Sequence, residues 1–194
     1  MEFTKSETKI NLMRAFAGES QARNRYNMAA HQAKKDGYAV VEKLFNIVAC
    51  QEQAHAKVFY DHLKEANDEH FMIEASYPVN VYNTTSDLLK AAVHNEMEEY
   101  DTIYKQFGEI AAQEGFPVIA SSFEQIGKIE KCHAEKFESF LKHIQEGTLF
   151  ERNGEIAWYC TNCGHIHYGP QAPEVCPVCH HARGYFLSPE LNKQ

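Results

Sequence analysis

Glutamate residues interrupt the apolar stripe of each long helical segment, where a helix normally presents only core side chains. The last stripe, read at spacings of three and four, runs Phe116, Ile119, Phe123, Ile126, Glu130, His133, Phe137, Leu141, Ile144. The other three stripes are interrupted by Glu19, by Glu52 with His55, and by Glu96 with Glu99. Burying an unpaired carboxylate costs several kcal/mol, so these acids require a strong counter-charge.

Metal cations are the counter-charge that this pattern indicates, because Arg23, which we place on the first stripe, could neutralise one acid but not all of them. Glu52-Gln-Ala-His55 and Glu130-Lys-Cys-His133 have the three-residue spacing that lets two side chains bind a common site. A single such pair is more often a solvated face, but two in phase with apolar stripes favour a site. Two such helices plus a glutamate from each of two others form the ligand set of di-iron and di-manganese bundles. Oxygen-rich ligation with a minority of imidazole favours iron or manganese over zinc or copper.

The same stripes predict four long helices, near residues 5–34, 38–66, 84–113 and 117–146. Glycine-containing turns separate the first pair and the last pair, whereas the segment between the second and third helices is too long for a turn. Short, long and short connections are typical of an all-α four-helix bundle with one long crossover, the ferritin-like arrangement. We therefore assign residues 1–146 to the bundle and residues 147–194 to a second domain.

The second domain carries two C-x-x-C pairs and is rich in glycine and proline. The pairs are Cys160 with Cys163 and Cys176 with Cys179. A segment this short cannot form a hydrophobic core of its own, so we expect it to fold around a metal held by four thiolates. Spacing alone leaves iron and zinc open. Two further cysteines, Cys50 and Cys132, stand alone in helices, and we interpret them as buried small hydrophobes.

Bulk properties argue against several classes of partner. The formal net charge of -8 at pH 7 is unfavourable for a nucleic-acid binder. No apolar run approaches the roughly 20 residues that span a bilayer, and the first ten residues are too polar for a secretory signal. The sequence contains no G-x-G-x-x-G motif, so we expect no nicotinamide or flavin site in this chain. We expect a cytoplasmic protein, in whose reducing compartment paired cysteines bind metal more often than they form disulfides.

Taken together, these motifs resemble those of the rubrerythrin family over essentially the whole chain. The resemblance rests on Glu19, Glu52-x-x-His55, Glu96-x-x-Glu99, Glu130-x-x-His133 and the four cysteines, with Trp158, Tyr159, Tyr168, Tyr185 and Phe186 beside them. It implies a ferritin-like di-iron bundle followed by a rubredoxin-like domain. The cofactors it implies are two irons in a carboxylate-bridged site and one iron bound by four cysteines.

The resemblance also implies a role for each ligand of the bundle. The bridging carboxylates would be Glu52 and Glu130, the terminal ones Glu19 and Glu96, and His133 would bind the second iron. The first iron would exchange Glu99 for His55 when the pair is reduced, which makes these two residues catalytic. That exchange accounts for one more acid than the simple ligand set contains.

Two tyrosines accompany the acids. Tyr26 lies seven residues after Glu19, and Tyr100 lies four residues after Glu96. A phenol beside a carboxylate site can hydrogen-bond a ligand or bound peroxide, so we include both as candidate catalytic residues. The alternative is a tyrosine whose ring belongs to the core.

The activity that the resemblance implies is a peroxidase of oxidative-stress defence. Hydrogen peroxide would be reduced to water, with electrons passing through the four-cysteine iron from NADH by way of a separate rubredoxin or reductase. We also expect a head-to-tail two-fold homodimer, because a tail beyond the bundle would place its iron roughly 25 Å from its own iron pair. Two alternatives remain open: a ferroxidase or iron-storage protein, and a non-redox binding protein with a zinc ribbon.

Overall fold

The computed structural model describes residues 1–192 as a bundle of long helices followed by a small β domain. The helices are α1 (Glu7–Lys35), α2 (Ala39–His62), α3 (Thr85–Glu98), α4 (Tyr104–Glu114) and α5 (Pro117–Gln145). A π-helical turn, Glu99–Ile103, joins α3 to α4, so these two form the third long rod of the bundle. The expected four-helix bundle with one long crossover is confirmed. None of the helices in residues 1–192 is long and apolar enough to cross a membrane.

Local sequence signals explain where the helices begin and end. The Ser6 side chain accepts a hydrogen bond from the Lys9 amide at the start of α1, and Thr84 accepts one from Asp87 at the start of α3. The α4–α5 turn requires Gly115, whose φ of 90° lies in the left-handed region. Tight turns therefore pair α1 with α2 and α4 with α5.

The third rod differs from the continuous helix that we expected, with Ile103 on its inner face. The π turn contains an extra residue, which changes the direction of every side chain that follows. As a result Tyr104, at 2% exposure, takes the buried position, while Ile103 is only partly buried. Sequence periodicity did not predict this change, because it assumes a constant helical repeat.

The crossover segment, residues 67–84, contains no regular helix or strand and runs over the outside of α1. The Tyr77 hydroxyl donates to the Arg14 carbonyl at 2.9 Å, and Arg14 Nε donates to the Glu74 carbonyl at 2.9 Å. These two hydrogen bonds fix the middle of the segment to α1.

Two apolar clusters fill the bundle on either side of its middle. One contains Tyr26, Phe45 and Phe137, with a distance of 5.0 Å between the two phenylalanine ring centroids. The other contains Phe59 and Phe123, whose ring centroids are 4.9 Å apart. The acids of the interrupted stripes lie between these two clusters. The clusters separate the acids from water at both ends of the bundle.

The tail folds as a three-stranded antiparallel sheet with strand order β2-β1-β3. Its strands are β1 (Glu151–Cys160), β2 (Ile166–Gln171) and β3 (Phe186–Leu187). Trp158 is fully buried, and its Nε1 donates to the Gly169 carbonyl at 3.0 Å. Around Trp158 the small core contains Phe186 and two of the cysteines, as expected for a domain organised by its metal ligands.

The tail packs against the bundle of its own chain rather than extending beyond it. Leu149 and Leu191 belong to the same apolar cluster as α1 and α2, and Phe150 stacks on Tyr38 with ring centroids 6.3 Å apart. A Cβ atom at Gly184 would collide with the carbonyl of Gly37, so this contact requires glycine. The four cysteines of the tail therefore lie closer to their own bundle than the dimer argument assumed.

Three single-residue expectations are wrong. Cys50 and Cys132 are exposed, because each lies one position away from the buried face of its helix. Arg23 is also exposed, and Arg25, which is partly buried, is the arginine that turns towards the core. Its Nη1 donates to Asn80 Oδ1 of the crossover segment at 3.0 Å.

Candidate metal centres

Six of the seven ligands proposed for the bundle converge between the apolar clusters, in two overlapping groups. In each group the ligand atoms lie within 4.8 Å of one another. The first group is Glu19, Glu52, His55 and Glu130, and the second is Glu52, Glu96, Glu130 and His133. Glu52 and Glu130 belong to both, so their carboxylates lie where bridging ligands of a metal pair would lie.

The two imidazoles approach the carboxylates in the same way, each through Nδ1. From His55 Nδ1 the distances are 3.0 Å to Glu130, 3.3 Å to Glu52 and 3.7 Å to Glu19. From His133 Nδ1 they are 2.8 Å to Glu130, 3.1 Å to Glu52 and 3.5 Å to Glu96. Each nitrogen thus faces three carboxylate oxygens, and the ring centroids are 5.8 Å apart.

Hydrogen bonds of the protein do not satisfy this cluster. Glu19, Glu52 and Glu130 are completely buried, and Glu96 is 1% exposed. Within residues 1–192, at least one buried oxygen of each of these carboxylates has no hydrogen-bond partner. Unpartnered carboxylates cost several kcal/mol each, and cations remove that cost. Four carboxylates and two imidazoles around two centres are the donor set that suits a pair of iron ions.

Electrostatics of the cluster lead to the same conclusion. Burial raises the pKa of Glu19 and of Glu96, and the charges of neighbouring carboxylates raise both further. Burial opposes ionisation of Glu52 too, but the two histidines beside it outweigh this effect and lower its pKa. Burial likewise disfavours the charged form of His133, yet its carboxylate partners raise its pKa to about 12. The cluster therefore holds protons in the absence of metal, and binding cations must displace them.

Glu99, the seventh proposed ligand, lies outside both groups. It is the first residue of the π turn and is partly buried on the wall of a cavity. Burial raises its pKa, as do the charges of Glu96, Glu130 and Glu52, while Arg25 opposes them. His55 thus lies within the cluster and Glu99 at its margin.

Two buried phenols donate hydrogen bonds to carboxylates of the cluster. The Tyr26 hydroxyl donates to Glu96, and the Tyr104 hydroxyl donates to Glu19. Burial, together with the carboxylate beside each phenol, raises the pKa of both tyrosines. Both hydroxyls therefore stay protonated and act as donors.

The structure places Tyr100 elsewhere. Its ring lies beneath the Lys131 ammonium, 5.4 Å from ring centroid to Nζ, on an outer groove between α4 and α5. Among the described residues it makes no hydrogen bond to a carboxylate of the cluster. Tyr104 occupies the position that we expected for Tyr100, because the π turn changes the phase of the helix after Glu96.

A further contact that sequence reasoning missed lies behind His133. Its Nε2 is 3.0 Å from Oε1 of Gln51, which is partly exposed. A hydrogen bond to the far nitrogen of a ligating histidine fixes the orientation of the ring. Gln51 directly precedes Glu52 and lies beside the buried stripe of α2 rather than in it. No pattern in the sequence therefore marks it as a contact of His133.

The four cysteines of the tail form the other candidate centre. Their Sγ atoms lie within 4.8 Å of one another, with 3.7 Å from Cys160 to Cys179 and from Cys163 to Cys176. A backbone hydrogen bond from His181 lowers the pKa of the Cys179 thiol to about 5. Cys160 and Cys176 are buried, whereas Cys163 is exposed. One side of this centre is thus accessible to another molecule.

Known proteins resemble both parts of the chain. Residues 11–141 match the sequence model of rubrerythrin, and residues 158–187 match that of the rubrerythrin rubredoxin-like domain. The rubrerythrin of Porphyromonas gingivalis is 43% identical over 187 residues, which cover 96% of this chain and 92% of that protein. The rubrerythrin of Nitratidesulfovibrio vulgaris is 41% identical over 181 residues, with 93% of each chain covered.

Solved structures extend the comparison to the fold. The fully reduced, all-ferrous state of nigerythrin is similar over 93% of this chain and 86% of that chain, with a TM-score of 0.64 at 26% identity. The bacterioferritin BfrA of Mycobacterium tuberculosis is similar over 72% of this chain and 87% of that chain, with a TM-score of 0.63 at 15% identity. The second similarity concerns the bundle fold alone.

Proposed function

This chain belongs to the rubrerythrin family, and from that premise we propose that it reduces hydrogen peroxide to water with electrons delivered through its tail. Its metal centres are a carboxylate-bridged di-iron site in the bundle and an iron bound by four cysteines. The observation that carries the proposal is the pair of buried ligand groups sharing Glu52 and Glu130. It is supported by the four-cysteine centre in the same chain, which supplies a one-electron carrier.

When bound, the iron pair supplies two electrons for cleavage of the O–O bond of hydrogen peroxide. The residues around it orient and isolate the site. Tyr26 and Tyr104 each occupy one oxygen of a terminal carboxylate, which leaves the other oxygen directed inward. The aromatic clusters exclude bulk water from both ends of the site. His55, on α2, and Glu99, in the π turn, are the residues that we propose to alternate as ligands.

Electrons enter, in this proposal, from a rubredoxin or an NADH-dependent reductase that docks at the tail. The exposed Cys163 supports this assignment, because an electron donor can approach its sulfur directly. We further propose that the protein works in the cytoplasm in oxidative-stress defence, and that two copies form a head-to-tail homodimer.

A decisive experiment uses protein reconstituted anaerobically with ferrous iron. We expect about three irons per chain and a red colour from the oxidised four-cysteine centre. One equivalent of hydrogen peroxide should oxidise each reduced iron pair, and a rubredoxin-type donor should sustain turnover. Glu130→Ala should keep the red tail and lose the peroxide reaction, which makes it the matched control. A reduced iron pair that peroxide leaves unoxidised would contradict the proposal.

The same sample tests the ferroxidase alternative, to which the bacterioferritin-like fold gives its one specific support. An iron-storage protein would assemble into a large particle, consume ferrous iron with oxygen repeatedly and retain many irons per chain. We expect none of this, because the seventh ligand Glu99 and the four-cysteine tail have no use in storing iron.

A further inference from the structure

A cavity of about 400 Å³ opens on the side of the bundle, between α1, the crossover segment and the π turn. Its lining combines apolar surface with the polar side chains of Gln21, Asn95, Glu98 and Gln106. The crossover segment forms its rim through Ala75, Ser76, Tyr77 and Pro78. The cavity is therefore bounded on one side by a segment without regular secondary structure.

The inner wall of this cavity contains two residues of the metal centre. One is Glu99, and the other is Tyr104, whose hydroxyl donates to Glu19. The six converging ligands are at most 7% exposed, whereas Glu99 is partly exposed because it lies on this wall. Since aromatic clusters close both ends of the site, an approach from the side through the cavity reaches the ligands without crossing the core.

Tyr77 limits the width of the opening. Its hydroxyl is fixed to the Arg14 carbonyl, and its ring passes over α1 at Gly18. A Cβ atom at Gly18 would lie 3.6 Å from Tyr77 Cε1, so the absence of a side chain there lets the ring lie close to the helix. The crossover segment thus covers the cavity with one aromatic ring held by one hydrogen bond.

We propose that this cavity is the route by which hydrogen peroxide reaches the metal pair, and that Tyr77 sets the size of hydroperoxide that can enter. The inference deepens the proposed function and rests on it. The amide side chains of Gln21, Asn95 and Gln106 suit a small substrate that exchanges hydrogen bonds with water for hydrogen bonds with the wall.

The first experiment narrows the route. Ala75→Trp adds a ring at the exposed rim, and Gln106→Trp adds one from α4 on the opposite wall. Each should slow the oxidation of the reduced iron pair by hydrogen peroxide about tenfold, which corresponds to ~1.4 kcal/mol. Met72→Trp, on the same segment but 93% exposed and outside the lining, is the matched control and should react like the parent.

The second variant widens the route. Tyr77→Ala removes the ring that covers the cavity, so the reaction of tert-butyl hydroperoxide should accelerate about tenfold. The rate with hydrogen peroxide should stay close to that of the parent, because the smaller molecule already passes. An equal change for both hydroperoxides would overturn the role assigned to Tyr77.

A third measurement does not depend on peroxidase activity. In the redox-inert zinc-loaded protein, dissolved oxygen serves as a small neutral paramagnetic probe, and relaxation of amide protons reports where it goes. We expect enhanced relaxation at Gly18, Ser76 and Glu99 in the parent and in Met72→Trp, and reduced enhancement in Ala75→Trp. If Ala75→Trp and Gln106→Trp match the parent in both relaxation and peroxide rate, the route is wrong. If the probe enters as expected but peroxide does not oxidise the parent, the proposed function fails and the access route stands.

Discussion

Two tyrosines at the metal centre differ in how they are positioned, although both donate to a carboxylate of the cluster. Tyr26 lies on the regular helix α1 and donates to Glu96. Tyr104 comes directly after the π turn and donates to Glu19. Both hydroxyls are buried, so removing either would leave a carboxylate oxygen without its donor. Such a loss is costly in a buried site because no water replaces the missing partner.

Tyr104→Phe should keep the fold and lower the rate of peroxide reduction about tenfold, since ~1–2 kcal/mol of hydrogen bonding to Glu19 is lost. Stopped-flow oxidation of the reduced protein, with iron content measured in parallel, gives the comparison. Tyr100→Phe is the matched control, because Tyr100 contacts Lys131 on an outer groove. A larger effect from Tyr100 than from Tyr104 would restore the sequence-based assignment.

How far the sequence predicts the site depends on the kind of signal each residue leaves. Glu130 and His133 interrupt an apolar stripe on a regular helix, and that local disturbance is visible without a structure. Tyr104 leaves no such signal, because one extra residue in the π turn changes its direction and periodicity assumes that no such residue exists. Gln51 leaves none either, since its contact with His133 depends on how α2 packs beside α5.

Besides their own capping residues Ser6 and Thr84, the starts of α1 and α3 are bound by side chains at the ends of other helices. Asp36, just after α1, accepts hydrogen bonds from the amide and the hydroxyl of Thr85 at the start of α3, at 2.9 Å and 2.6 Å. Glu114, the last residue of α4, accepts from the amide and the hydroxyl of Thr8 at the start of α1. These contacts join segments far apart in sequence, so helix periodicity predicts the helices but not how their ends are connected.

Asp36→Ala should lower the free energy of unfolding by about 1 kcal/mol at neutral pH, the usual cost of a lost helix cap. Burial opposes ionisation of Asp36, but hydrogen bonds from Thr85 outweigh it, so the pKa lies below its ordinary value. A lowered pKa means that the contribution is complete above the unfolded-state pKa and is lost as pH falls through the folded-state pKa.

Urea unfolding of parent and variant between pH 7 and pH 3 measures this difference, with Glu109→Ala as an exposed control on α4. The difference between parent and Asp36→Ala should shrink towards the acid end. A difference that stays constant over the whole range would show that the Asp36 carboxylate is not what stabilises the start of α3.

Within one molecule the tail lies beside the first turns of α2. Lys43 Nζ is 3.4 Å from the carbonyl of Thr161, the residue after Cys160. From Lys43 to Glu52 the helix rises about 14 Å, at 1.5 Å per residue. The separation between the four cysteines and the bundle ligands of the same chain is therefore shorter than the one that favoured electron transfer between subunits. The dimer proposal depends instead on the exposed Cys163 and on Gln51, which links His133 to the surface.

Mixing two inactive variants distinguishes transfer between subunits from transfer within a chain. One carries Glu130→Ala and keeps a working tail, and the other carries Cys160→Ser and keeps a working bundle. After subunit exchange, we expect peroxidase turnover with a rubredoxin-type donor to return, because a tail of one copy serves the bundle of the other. Heterodimers that stay inactive, with iron retained at each intact site, would assign the transfer to a single chain.

The π turn also determines what the insertion or deletion of one residue would do at this point of the bundle. Tyr104 follows Glu96 by eight positions, whereas a regular helix returns to nearly the same direction after seven. Loss of one codon at the exposed Asp101 or Thr102 would convert the turn into regular helix and leave Tyr104 directed at Glu19. Gain of one codon would rotate α4 by about 100° and carry the phenol out of the core. We therefore expect loss of one codon in this stretch to keep the phenol beside Glu19 and gain of one codon to displace it.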